Sequence, residues 1–269
     1  MPVFLLALAV SEHISWINSA LAFFILHFLV YPASNGYNSY FDKDEGSIGG
    51  LKKPPKTTKE LYYISLFLDV AALLLALLIS VEFMMMILVY GLISKAYSHP
   101  DIRLKKFAVI GWLAAGIFQG YFTFILSYIA INNLHVADTF LWSIQFPGIL
   151  SSLLLLGSYP MTQIYQHDED RSRGDKTISL KLGIIGTFHF TSAAFLVSSV
   201  GFLYYFFHYH SSIEAYVFLL FMTPILGYFT SWYLRVRANS QNADYESTMR
   251  LNLISSLMLN AYFIFLWFY

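Results

Sequence analysis

Residues 83–131 read FMMMILVYGLISKAY (83–97), SHPDIRLKK (98–106) and FAVIGWLAAGIFQGYFTFILSYIAI (107–131). Two apolar runs flank a short turn that carries Arg103, Lys105 and Lys106. The second run contains no charged residue and is long enough for a helix to cross a hydrocarbon core of about 30 Å. The first is shorter and holds Lys95 near its end. A basic turn joining two such runs is the pattern of a chain that crosses a bilayer and returns.

The same alternation extends along the whole chain. Apolar stretches at 14–41, 61–80, 140–165, 184–207, 216–234 and 251–269 join 83–97 and 107–131. Residues 2–10 are apolar but too short to span, and read as part of a first helix cut short. The expected architecture is all-α: one domain over 1–269, a multi-pass transmembrane bundle of about nine helices. Its central cavity is expected to open at the cytoplasmic face. Composition agrees, because 57% of the 269 residues are hydrophobic and only 12% charged, too little charge to cover a soluble surface. Formal net charge is zero, so nothing points to nucleic acid. Cysteine is absent, which excludes disulfides and thiolate chemistry.

Charge placement supports the map. The Lys and Arg total of 16 falls after the second span (Lys43, Lys52, Lys53, Lys56, Lys59), between the fourth and fifth (Lys95, Arg103, Lys105, Lys106), after the sixth (Arg171, Arg173, Lys176, Lys181) and between the last two (Arg235, Arg237, Arg250). All of these lie at one membrane face, and the positive-inside bias makes that face cytoplasmic, in a bacterial inner membrane. Pro32, Pro147 and Pro160 lie inside predicted spans, where neighbouring helices must satisfy the carbonyls they free.

Polar chemistry concentrates at two span ends on the basic face. Asn35, Asn38, Asp42 and Glu45 are spaced i, i+3, i+7 and i+10, one helical face if the second span continues that far. Gln163, Gln166 and Asp170 repeat the first three positions after the sixth span. Hard oxygen donors of this kind suit Mg²⁺, which takes one or two carboxylates and completes its shell with water and phosphate oxygens. The nearby cations would clamp a diphosphate. The plainer reading is that charges past a helix end are solvated caps or topology signals. Paired stripes beside basic loops favour a site.

At these residues the chain resembles the UbiA-type intramembrane prenyltransferases. That family carries Asn-x-x-x-Asp-x-x-x-Asp after its second helix and Asp-x-x-x-Asp after its sixth. Asn38 and Asp42 match the start of the first motif. Asp170, followed by Gly174, Thr177 and Leu180-Lys-Leu-Gly183, is similar to the second and its trailing sequence. Tyr97-Ser-His-Pro100 with Arg103-Leu-Lys105 resembles the loop between the family's fourth and fifth helices. Two positions depart: Gly46 and Gln166 stand where the family has acids. Asp44 or Glu45 would have to replace the first, and the Gln166 amide oxygen the second.

The resemblance implies a Mg²⁺-dependent transferase that moves a polyprenyl group from an isoprenyl diphosphate to a lipophilic or aromatic acceptor through an allylic cation. Quinone precursors are the commonest acceptors it implies; haem, chlorophyllide, carotenoid and lipid-precursor branches stay open. It assigns metal to Asn38, Asp42, Gln166 and Asp170, and diphosphate to Lys53, Lys56, Arg103 and Lys105. The substrate pocket receives Asn35, Tyr97 and Gln163, and Asp168 is the acceptor's base. Two alternatives stand beside it: a membrane protein that binds isoprenoid or cation without catalysis, as the lost carboxylates permit, and a secondary transporter. The transporter would place charge near the bilayer midplane, whereas these acids end helices.

Overall fold

The computed structural model describes every residue except Asp44 and Glu45, and the described residues form helices and loops with no extended strand. Helix α1 is Pro2–Ala9. Helices α2 (Trp16–Phe24) and α3 (Tyr31–Asp42) are joined through a π-helical stretch, Ile25–Val30. Next come α4 (Lys59–Ala76), α5 (Val81–Ser98) and α6 (Ala108–Ile117); a second π-helical stretch, Phe118–Phe122, runs into α7 (Thr123–Asn132). Then follow α8 (Trp142–Gln163), α9 (His167–Arg173), α10 (Ile178–Tyr209), α11 (Ser212–Ala238) and α12 (Tyr245–Phe268).

Six helical runs among the described residues are long and apolar enough to cross a membrane: Trp16–Asp42, Val81–Ser98, Ala108–Asn132, Ile178–Tyr209, Ser212–Ala238 and Tyr245–Phe268. The protein is therefore an integral membrane protein. The expected segments 61–80 and 140–165 form α4 and α8. The first carries Lys59, Glu60 and Asp69, and the second is rich in Ser, Thr and Gln. The six runs are fewer than the nine segments expected. Many large apolar side chains remain exposed on the outer helices, among them Phe67, Leu78, Leu196 and Leu220, as lipid-facing positions require.

Hydrogen bonds show why the kinks persist. Pro147 has no N–H to give the Ser143 carbonyl, and the Tyr205 hydroxyl of α10 donates to it at 3.3 Å. Pro160 frees the Leu156 carbonyl in the same way, and the Trp112 indole of α6 donates to it at 2.7 Å. The π-helical stretch after α6 is held from outside. Ser152 of α8 inserts its hydroxyl, accepting from the Tyr121 amide at 2.8 Å and donating to the Gly116 carbonyl at 3.0 Å. A side chain inserted into a helical ladder is a recognised cause of such a bulge.

Two boundaries differ from expectation, and both shape the site. Helix α3 ends at Asp42 because Lys43 turns left-handed (φ 50°), so the first stripe does not run on as helix; Glu45 and Asp44 lie outside the described residues. Helix α8 stops at Gln163, and α9 begins with Gln166 as its N-cap. Gln163 therefore does not share a continuous helix with Gln166 and Asp170, although the spacing implies it. Helix α10 starts before the expected 184 and bends at Gly183, whose φ of 70° is one that glycine tolerates without a Cβ clash.

Candidate active site

Helix α3 packs against α4 and α5 and presents Asn38 and Asp42 on its last turn. Asp42 is only 5% exposed at its side chain, and the Lys105 ammonium contacts it directly. Lys105 also donates to the Asn38 amide oxygen at 3.3 Å, and the Ser98 hydroxyl donates to that same oxygen at 2.5 Å. Arg103 approaches Asp42 at 3.5 Å. Its guanidinium is gripped from the other side by Asp175 through two bonds, Nε to Oδ1 at 3.1 Å and Nη2 to Oδ2 at 2.9 Å. That fork-to-fork geometry is the strong form of the pair.

Asp170 reaches the same place from α9. Its carboxylate is buried and accepts from the Thr177 hydroxyl at 3.1 Å. Burial pushes its pKa up to about 6 and Asp175 adds to the rise; the Thr177 bond, Arg173 and Lys105 oppose it. Lys105 thus touches Asp42 and acts on Asp170 through space. The hydroxyls of Tyr97 and Tyr159 pair with each other, and both carboxylates act on each of them. The two helix ends are tied together through Arg103, which faces Asp42 at 3.5 Å and holds Asp175, just past α9, at 2.9 Å. The loops are joined as well: Lys176 donates its amide to the Lys106 carbonyl at 3.2 Å, beside the Arg103–Asp175 contact.

Gln166 donates its amide to the Ser47 carbonyl at 3.1 Å, so α9 also holds the segment that follows α3. Next to that bond, a Cβ added at Gly46 would collide with the Glu169 carboxylate. A side chain at 46 would thus displace the tip of Glu169 from its present place. Gln163 keeps a buried amide oxygen with no hydrogen-bond partner among the described residues. Asn35 lines a cavity of about 530 Å³ that lies below these groups. Among its walls are Leu6, Tyr31, Tyr90, Leu154, Phe202 and Phe263.

Three expected site residues are placed elsewhere. Lys53 and Lys56 are exposed on the loop after α3, where neighbouring Lys52 pairs with Glu246 at 2.5 Å. Asp168 is 99% exposed at its side chain and pairs with Arg171 at 3.1 Å. It points away from Asp170 because two residues on a helix differ by about 200°. Sequence reasoning also missed Asp175, Ser98 and Tyr159. Asp175 sits in a short polar linker whose partner is 72 residues away, and no local pattern marks it. Asp69, within the third expected span, pairs with Lys95 at 2.6 Å, and Lys95 lies over the Tyr37 ring at 4.9 Å. That pair packs helices together and is not part of the cavity wall.

Among the described residues, no three acid or histidine side chains converge as a wholly protein-held metal ion needs. Two carboxylates with two amides is instead the donor set that suits Mg²⁺ completed by phosphate oxygens and water, so the residues fit the ion together with a diphosphate.

The model of the UbiA prenyltransferase family matches residues 1–254. The chain belongs to the UbiA prenyltransferase family. No curated protein matches it in sequence. A solved digeranylgeranylglyceryl phosphate synthase is 17% identical, with 99% of this chain and 92% of that one covered at a TM-score of 0.65. A UbiA homologue from Archaeoglobus fulgidus, bound to GPP and Mg²⁺, is 18% identical, with 100% and 96% covered at a TM-score of 0.65. The same homologue bound to DMAPP and Mg²⁺ is 17% identical, with 99% and 95% covered at 0.63. At such identities the likeness shows a shared fold, here over the full length of the chain.

Proposed function

We propose that this member of the family transfers a polyprenyl group from an isoprenyl diphosphate to a lipophilic or aromatic acceptor, with Mg²⁺. The observation that carries this is that Arg103 faces Asp42 at 3.5 Å and grips Asp175, whose amide bonds the Asp170 carbonyl at 2.9 Å, so that both acids sit by one basic loop at the top of a largely apolar cavity. The solved homologue with GPP and Mg²⁺ adds support. Asp42 and Asp170, with the Asn38 and Gln166 amides, would hold the metal, which supplies charge to neutralise the departing diphosphate.

Lys105 and Arg103 stand where that diphosphate would lie, and their charge favours the state in which its oxygens carry more negative charge. The allylic C1–O bond breaks with its electron pair leaving on the diphosphate. The prenyl chain extends into the cavity, where Tyr31 and Tyr90 can face the allylic cation with their rings. An electron pair of the acceptor forms the new bond to C1, and the acceptor then loses a proton. Asp168 is too far into solvent for that base, and Lys53 and Lys56 stand exposed on the loop after α3. The positive charge of these loops supports a reaction at the cytoplasmic side of a bacterial inner membrane.

The test is purified protein in nanodiscs with Mg²⁺ and prenyl diphosphates of several lengths, read as diphosphate release. Release should occur with at least one donor and fall at least a hundredfold in Asp42→Ala and in Asp170→Ala. No release from any donor beside a working control, or full release from both variants, rejects the transferase in favour of a non-catalytic isoprenoid- or cation-binding protein.

A further inference from the structure

The cavity beneath the acids divides by depth. Seven residues separate Asn35 from Asp42 on α3, and seven separate Asn252 from the start of α12. At the ~1.5 Å rise of a helix both lie about 10 Å below the mouth. Ser158 and Thr162 of α8 come within two turns of that helix's end at Gln163, and Ser255 and Ser256 follow Asn252 by one turn. These six side chains all line the cavity and form a polar collar under Asp42 and Asp170. Below it the walls are mostly apolar, with Leu6, Phe202, Met222 and Phe263 beside Gln119 and Ser199, Phe263 roughly 27 Å along α12 by the same rise. The serine hydroxyl at 151, on the α8 wall, is already bonded to the Pro147 carbonyl at 2.9 Å.

Two features of the collar point to what it holds. Among the described residues, Asn35, Asn252 and Ser255 line the cavity without a hydrogen-bond partner inside the protein, unlike Thr162, which donates to the Tyr159 carbonyl at 2.7 Å. A prenyl chain has no use for such groups. Second, among the described residues no Asp, Glu, Lys, Arg or His side chain lines the cavity. The cations above the collar, Lys105 and Arg103, face Asp42 and Asp175 and are the ones the prenyl diphosphate would engage, which leaves neither for an anionic acceptor; Lys95 pairs with Asp69. A carboxylate or phosphate entering the collar would be desolvated with no counter-charge, which strongly disfavours it.

We infer that the collar is the acceptor subsite and that the acceptor is a neutral, hydroxylated molecule, recognised by Asn35, Asn252 and Ser255. This rests on the transferase reading, in which the acceptor must meet C1 of the prenyl group just under the diphosphate. Aromatic acids and other anionic acceptors are thereby disfavoured.

The experiment uses matched probes of nearly equal size, 4-hydroxybenzyl alcohol against 4-hydroxybenzoate and 2-naphthol-6-methanol against 6-hydroxy-2-naphthoate, with purified full chain in nanodiscs. Binding is followed by calorimetry, and transfer from geranyl diphosphate with Mg²⁺ is followed separately. The neutral member of each pair should bind at least tenfold more tightly. Asn252→Ala with Ser255→Ala should raise KM for the neutral probe about tenfold while leaving KM for geranyl diphosphate within twofold. Asn252→Lys should shift preference toward the anion by at least tenfold. Equal binding of both members, anion preference in the unaltered protein, no binding of either, or an alanine pair that moves both KM values together overturns the inference. A protein that prefers the neutral probes but releases no diphosphate keeps the subsite and loses the transferase.

Discussion

Replacing Asp175 by asparagine tests how the mouth is held. Asp175 is 4% exposed at its side chain and grips Arg103, itself 18% exposed, through two bonds of 3.1 and 2.9 Å. Asparagine keeps one acceptor oxygen and the shape, but loses one acceptor and the charge. Each charge-assisted bond is worth about 1.5–3 kcal/mol, yet the total should be smaller than two such bonds. Arg103 still faces Asp42 at 3.5 Å, and its partial exposure lets water take up part of the loss. We expect about 2 kcal/mol, which is about thirtyfold in kcat/KM for the prenyl diphosphate, read as diphosphate release. The effect should vanish in an Arg103→Ala background, because Asp175 would then have nothing to aim. A further thirtyfold loss when Asp175→Asn is added to Arg103→Ala would refute the reasoning and place the role of Asp175 elsewhere.

Other substitutions probe separate parts of the structure. Gly46→Asp should drive the Glu169 carboxylate and the loop apart, so that trypsin cuts after Lys52 several times faster; adding Glu169→Ala should restore the original rate. Lys95→Met should lower stability by about 2 kcal/mol because it leaves the half-buried Asp69 unpaired, whereas Asp69→Leu with Lys95→Met should be close to neutral, measured by thermal unfolding in detergent. Asp168→Ala should change kcat/KM less than twofold, since its side chain is in water; a tenfold loss would return it to the chemistry. Trp112→Phe should cost about 1 kcal/mol by leaving the Leu156 carbonyl unpaired. The same change should cost less beside Pro160→Ala, where the helix supplies its own donor.

The membrane helices were legible because each had to be long and apolar, a demand that composition alone reveals. The interruptions were not. Ile164-Tyr165-Gln166 continues a helical pattern without a glycine or proline, and the residues just past the break bond to distant partners, Gln166 to Ser47 and His167 to Ser179. The π-helical turn after α6 depends on a serine from α8, which no reading of 118–122 could supply. In the site, Asn38, Asp42 and Asp170 stood out through spacing beside basic loops; the structure sets the first two against Lys105 and ties the chain just after the third to Arg103. Asp175 did not stand out because its worth lies wholly in a distant arginine. Asp168 was assigned a role from its closeness in sequence to Asp170, but its side chain projects from a different part of the turn.

The carbonyls that Pro147 and Pro160 release, and the serine wedged into the turn after α6, fasten α8 to α10 on one side and to α6 on the other at fixed heights. A helix stitched in this way cannot slide lengthwise without breaking several bonds at once in a medium that offers no replacement. Helices α11 and α12 form the facing wall and pack on each other, with α10 and α1 beside them and α8 hardly touched. When bulky guests enter or leave the chamber, the yielding must therefore come from the α11–α12 flank, while the flank that carries Tyr159 and Gln163 keeps its register.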